Sequence, residues 1–221
     1  MEVSDQNKTI DIINKFFSAG CDGIFMINNK VACEELLLLY RNVRKLFPNK
    51  WLGLSLNDVL AHEIYEIFPL DADAYWIKDI HITDNQIEEL ELNNILELKT
   101  SKQWQGKIIG QLRISTYDDE KNFNLAMRIA RSFVDVVVIK SINSLSKTKF
   151  FLNSIRSSVD PRNLGMSFSS LDCTKIKHYL PHIRYLLFFD GLNGYNYFDE
   201  EKFMLLVHTI RKFENDYTPQ E

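Results

Sequence analysis

Glycine is scarce in this sequence, at 8 of 221 residues, about half the ordinary share. Glycine-rich phosphate cradles must be few, and no G-x-G-x-x-G, Walker loop or G-x-S-x-G occurs. Cysteine is scarcer still. Cys21, Cys33 and Cys173 are odd in number, widely spaced and without a C-x-x-C. That argues against a disulfide framework or a cysteine zinc site, and for reduced thiols in a cytoplasmic protein. The five histidines form no H-x-x-x-H on one helix, because Pro181 falls between His178 and His182. Neither a metal nor a cofactor is expected. No run approaches the ~20 apolar residues of a membrane span, and the polar start Met1–Asn7 has no signal-peptide core. The formal charge is -4, with 26 basic against 30 acidic residues, so neither membrane nor nucleic acid is an expected partner.

What remains is an ordinary globular mix, 45% hydrophobic and 25% charged, enough for a large core. No linker or low-complexity tract divides the chain. It reads as one domain over 1–213 with a tail over 214–221. Helical and strand signals alternate. The expected strands are 22–28, 51–55, 74–77, 107–112, 134–139, 163–168 and 184–189, of which Val134–Ile139 is the clearest, being short, β-branched and apolar throughout. Helices are expected over about 9–19 and 31–46, after Asn57 and Thr83 as caps, over about 118–132, around Phe150–Ile155, after Ser170, and after Asp199 as cap. Seven strands and eight helices in alternation, starting on a helix, predict an α/β, (β/α)8 TIM-barrel-like fold whose first strand is missing or reduced to the residues around Met1–Val3. An open doubly wound sheet is the alternative. A barrel one strand short exposes strand edges, so the N-terminal segment, a second copy or a protein partner is expected to cover the gap.

Several segments resemble a known family. Ala19-Gly-Cys-Asp-Gly-Ile-Phe-Met-Ile-Asn28 resembles its G-A-D-G-[IV]-F-L-I-x-H strand, and Pro48-Asn-Lys-Trp-Leu-Gly-Leu-Ser55 its P-x-x-W-I-G-V-N. Val134-Asp-Val-Val-Val-Ile-Lys-Ser141 is similar to M-D-V-V-x-T-S-G, Leu164–Ser169 stands where the family has L-A-I-A-S-G-I-T, and Tyr185–Leu192 with Phe198-Asp199 resembles F-L-V-A-T-G-I and F-D-P. The family is a set of TIM barrels similar to the BtpA photosystem-assembly proteins, often described as adenine phosphoribosyltransferases. The resemblance implies a barrel, and a nucleoside-, ribosyl- or phosphate-bearing ligand. This chain departs from the family at the strand ends. Ser141–Ser146 has no glycine, and Phe168 or Ser169 stands where the family has one. A backbone nest around a phosphate needs close approach and unusual φ, so these losses speak against phosphate in the family's usual place.

In a barrel of this type the chemistry sits at the C-terminal ends of the strands. In chain order these are Asn28 and Asn29, Ser55 and Asn57, Lys78 and Asp79, Arg113, Lys140 and Ser141, Ser167 and Ser169, then Asp190 and Gly191. Asp79 and Asp190 are the candidate acid–base carboxylates. Lys140, following a strongly apolar strand, is the candidate nucleophile or base. Lys78 and Arg113 suit an anion, and Asn28, Ser55, Asn57, Ser167, Ser169 and Gly191 complete a polar ligand-binding ring. Each residue also has a plain structural reading, since caps and turns prefer the same types. Two functions therefore stand side by side: a small-molecule enzyme or binder, and a degenerate, non-catalytic barrel kept as an interaction or assembly protein.

Overall fold

The computed structural model describes residues 6–29, 31–57, 59, 61–78, 80, 82–83, 86–87, 96–113, 120–140, 144–155, 159–168, 173–188 and 199–217. The chain divides into two compact units. The first is Met1–Gln111 with Ala130–Asp135, and the second Leu112–Ile129 with Val136–Glu221.

The first unit begins with α1 (Gln6–Ser18) and β1 (Gly23–Ile27). Between them the chain turns at Gly20, whose φ of 93° is left-handed backbone that glycine enters without a Cβ penalty. α2 (Cys33–Leu46) buries Leu36, Leu37, Leu39, Tyr40 and Val43 on one stripe. Its first turn carries Glu34 and Glu35 and its last Arg44 and Lys45, each sign matching the helix dipole. β2 (Trp51–Ser55), α3 (Ala61–Ile67) and β3 (Ala74–Ile77) follow, then β4 (Ile82–Thr83), β5 (Gln86–Ile87), α4 over 96–100, and β6 (Lys107–Arg113, all but its last two residues). β1 pairs with β2, β2 with β3 and β3 with β6, all parallel, with Ile27 level with Ser55 and Ile77 level with Gly110. β1 has no strand on its other side among the described residues. The Asn28 amide donates to the Ser55 carbonyl. Because peptide groups alternate along a strand, Ile24 and Met26 face β2 in the same way, and the peptide groups of Phe25 and Ile27 face outward.

The lower end of this unit is strapped twice by one device. Asp73, just before β3, takes the Leu52 N–H on its side chain at 2.8 Å and returns its own N–H to the Leu52 carbonyl at 2.9 Å. Arg44 from α2 pairs with the same carboxylate at 2.6 Å. Asp135, just before the strand that follows, treats Ile108 identically at 2.7 and 2.9 Å, and Lys99 from α4 is its cation. Arg44 also donates to the Lys50 and Asp71 carbonyls and to the Tyr40 hydroxyl. Tyr40 is fully buried, and burial, reinforced by Asp71 and opposed by Arg44, pushes its phenol up to about 12.

The second unit holds α5 (Glu120–Ala130, all but its last residue), β7 (Val136–Lys140), α6 (Leu145–Ile155), β8 (Leu164–Phe168), α7 (Cys173–Ile176), β9 (Tyr185–Phe188) and α8 (Glu200–Tyr217). β7 pairs with β8 and β8 with β9, again parallel. The core is aromatic and aliphatic. Phe123 of α5 meets Phe151 of α6 edge-to-face at 4.8 Å, over a wholly buried Val136–Ile139. Asp199 caps α8 as the sequence predicts, its carboxylate accepting the Lys202 N–H at 3.0 Å.

The predicted strands match the observed ones within two residues at each end. Three local expectations do not hold. The helix expected from Thr83 is preceded by a two-residue antiparallel pairing, Ile82–Thr83 with Gln86–Ile87; the β-branched Ile82, Thr83 and Ile87 favour strand pairing over a helix start. Asn57 caps no helix, because α3 starts at Ala61. α8 continues to Tyr217, four residues into the segment read as a tail.

Candidate functional site

The strand ends of the first unit are joined by side-chain amides. Asn28, 7% exposed, follows β1 and grips the backbone of Asn57 beyond β2. Its Nδ2 donates to the Asn57 carbonyl at 2.8 Å and its Oδ1 accepts the Asn57 N–H at 2.5 Å. A carboxamide has the donor–acceptor pattern of a peptide group, so Asn28 continues the β1–β2 ladder through its side chain. Tyr75 of β3 donates its hydroxyl to the Leu56 carbonyl at 3.3 Å, and Gln111 of β6 donates from Nε2 to the Lys78 carbonyl at 2.7 Å. The Gln111 carbonyl accepts the Ile80 N–H. The residues that follow β2 and β3 are thus held by side chains from the neighbouring strands.

Above this scaffold Asn29 is the hub. Its Oδ1 accepts from the Asn57 amide at 3.0 Å and from the Lys78 ammonium at 2.9 Å. Beside it lies an open depression of 410 Å³, lined by Asn28, Asn29, Val31, Ala32, Cys33, Asn57 and Val59. Ala32 offers α2 no side-chain cap. Burial, aided by Glu34 and Glu63, pushes the Cys33 thiol up, which disfavours its thiolate form. Among the described residues the lining offers amide donors and acceptors, with the Lys78 ammonium held on Asn29 at the margin, a chemistry suited to hydroxyls and an anion.

The structure brings the sequence candidates Asn28, Asn57 and Lys78 together. Ser55 ends β2 fully buried, at 1% exposure, and its carbonyl is engaged by Asn28. In the second unit Lys140 is the one exposed residue of β7, and Ser167 is buried within β8. Arg113 closes β6. Asp79, Ser141, Ser169, Asp190 and Gly191 lie outside the described residues. At the end of β8 stands Phe168, stacked on Phe188 of β9 with ring centres 5.8 Å apart and in contact with Tyr179 at 5.6 Å. An aromatic cluster fills that strand end where the resembling family has a glycine turn. The sequence ring included Asn29 without a ligand role and missed Cys33 and Gln111. Gln111 had a signal, since it is the lone uncharged polar side chain in Lys107–Leu112; Cys33 had none.

Among the described residues no cluster of His, Cys, Asp and Glu suits a metal ion, and no helix is long and apolar enough to cross a membrane. No family model and no curated protein matches the sequence. Solved structures do. A protein from Aquifex aeolicus VF5 is similar over 93% of this chain and 86% of its own, at 13% identity and a TM-score of 0.62. The native KDPGal structure matches over 98% and 91%, at 8% identity and 0.62. 3-Hexulose-6-phosphate synthase matches over 94% and 93%, at 11% identity and 0.62. Identities this low carry the fold and nothing more: the chain has an α/β, TIM-barrel-like fold with seven parallel strands.

Proposed function

We propose that the chain binds a small sugar- or nucleoside-type ligand bearing a phosphate, at the strand ends of its first unit. The observation that carries this is the Asn28–Asn57–Asn29–Lys78 network beside the 410 Å³ depression. In this reading Lys78 meets the anionic group, and Asn29 and Asn57 take ligand hydroxyls. Asn28 positions Asn57. Support comes from the fold, which puts chemistry at this side of the strands, and from similar structures, among them one named for a sugar phosphate, 3-hexulose-6-phosphate synthase. Membership of the family similar to the BtpA proteins, and a cytoplasmic location, belong to the same proposal and rest on the sequence. Lys140 remains a separate candidate base or anion contact on the second unit, with Arg113, Ser167, Ser169 and Gly191 as ligand contacts and Asp79 and Asp190 as acid–base carboxylates.

Thermal unfolding against inorganic phosphate, ribose phosphate and AMP tests the reading. A ligand at about a hundred times its dissociation constant stabilises by about 2.7 kcal/mol, and Lys78→Ala should remove the shift while leaving the unliganded melt unchanged. Lys140→Ala should remove any shift that depends on the second unit. A flat response across the panel rejects ligand binding of this class. The Phe168–Phe188–Tyr179 cluster favours a second reading, a non-catalytic barrel acting through protein contacts, and that reading gains if the panel is flat.

A further inference from the structure

The last helix carries a surface whose use the ligand site does not explain. α8 buries Phe203 and Leu206 and half-buries Ile210 and Phe213. Its opposite face should be polar throughout, yet Met204 and Leu205 stand side by side in solvent at 46% and 56% exposure. Leu125 and Phe150 stand singly on their helices, and the two exposed leucines of α2, Leu38 and Leu46, are eight residues apart, as is normal for surfaces. At helical spacing the Met204–Leu205 face continues through Glu201 at one end and His208 and Lys212 at the other, all exposed.

Among the described residues some of the charges on α8 are paired, and others, Glu200 and Asp216 near its ends included, are not. Lys202 is held by Asp199 at 2.9 Å, and Arg211 by Glu214 at 2.8 Å, with Arg184 also on Glu214. Glu201 and Lys212 have no ion-pair partner among the described residues. They lie on one line of the helix, about 16 Å apart, with the apolar pair between them.

The geometry points to an occupant of this face: a second copy of the same helix. An acidic group, an apolar centre and a basic group in that order are complementary to themselves when two helices run antiparallel. Under a two-fold axis Glu201 of each chain faces Lys212 of the other, and Leu205 of each packs against His208 of the other. The pairing is isologous, so it closes as a dimer and cannot propagate into a fibre. A seam of one helix pair is small for a specific interface, and the expected dissociation constant is on the order of 10 μM.

Sedimentation velocity of the full chain over a concentration series tests this, with circular dichroism as the folding control. The wild-type chain should pass from monomer to dimer. Glu201→Lys sets two lysines against each other and Lys212→Glu two glutamates; each should weaken association about tenfold. The double exchange, E201K with K212E, should restore it, and because it carries both substitutions, its recovery separates charge pairing from misfolding. Leu205→Arg should abolish the dimer. A chain that stays monomeric up to about 1 mM, a dimer indifferent to L205R, or a double exchange that recovers nothing overturns the proposal.

Discussion

Asn28 does two jobs with one carboxamide, and single substitutions separate them. Asn28→Ala removes both bonds to the Asn57 backbone and should cost about 2 kcal/mol, read as a lower denaturant midpoint at unchanged slope. Asn28→Asp keeps the acceptor but sets an oxygen against the Asn57 carbonyl, so it should cost more. Arg44 is the counterpart at the opposite end of the strands. Its guanidinium joins Tyr40, Lys50, Asp71 and Asp73, and Arg44→Met should cost roughly 2 kcal/mol by removing these bonds. Tyr40 sets a pH limit. Its folded pKa of about 12 lies above the unfolded value near 10. Its contribution is therefore intact below pH 10 and is lost as the pH rises toward 12. Alkaline unfolding followed by circular dichroism should be less steep in Tyr40→Phe than in the wild-type chain. At this scale the sequence disclosed residue types and not partners. Lys78 and Asn57 were legible as strand-end polar groups. Their common hub in Asn29 depends on registers that no local pattern contains.

Elements were the most legible level. Short β-branched runs such as Val136–Ile139 can be little else than buried parallel strands, and all seven appear within two residues of their expected ends. The failure at Thr83 has a local cause: a two-residue hairpin leaves almost no periodicity to read. The twin straps were also illegible in advance. Asp73 and Asp135 each precede an apolar run, but their role follows only once Leu52 and Ile108 are known to lie beside them. Because the two straps share one geometry, they should share one energetic cost. Asp73→Ala and Asp135→Ala are each expected to destabilise by about 2 kcal/mol, and a large difference between them would mean that the flanking cations, Arg44 and Lys99, do most of the holding.

At the scale of the molecule, the shortage of glycine acquires a location. Gly53 lies under the Phe25 ring, where an added Cβ would come within 2.3 Å of it, and Gly165 faces Tyr185 and Val138. These glycines serve close packing inside strands and not anion cradles, and Gly53→Ala should lower the melting temperature measurably. The fold itself was within reach of the sequence because alternation and strand count are global patterns. What stands beside β1 was not, since the pattern says only that a neighbour is missing. The pairing of β1 on one side only among the described residues also leaves an isotopic signature. In deuterated water the amides of Met26 and Asn28, directed at β2, should exchange slowly, while those of Phe25 and Ile27 should exchange at nearly the rate of an open chain, so that fast and slow sites alternate along five residues. If Phe25 and Ile27 proved as slow as their neighbours, a further strand would be paired there, and dilution would tell whether it comes from the same chain or from another.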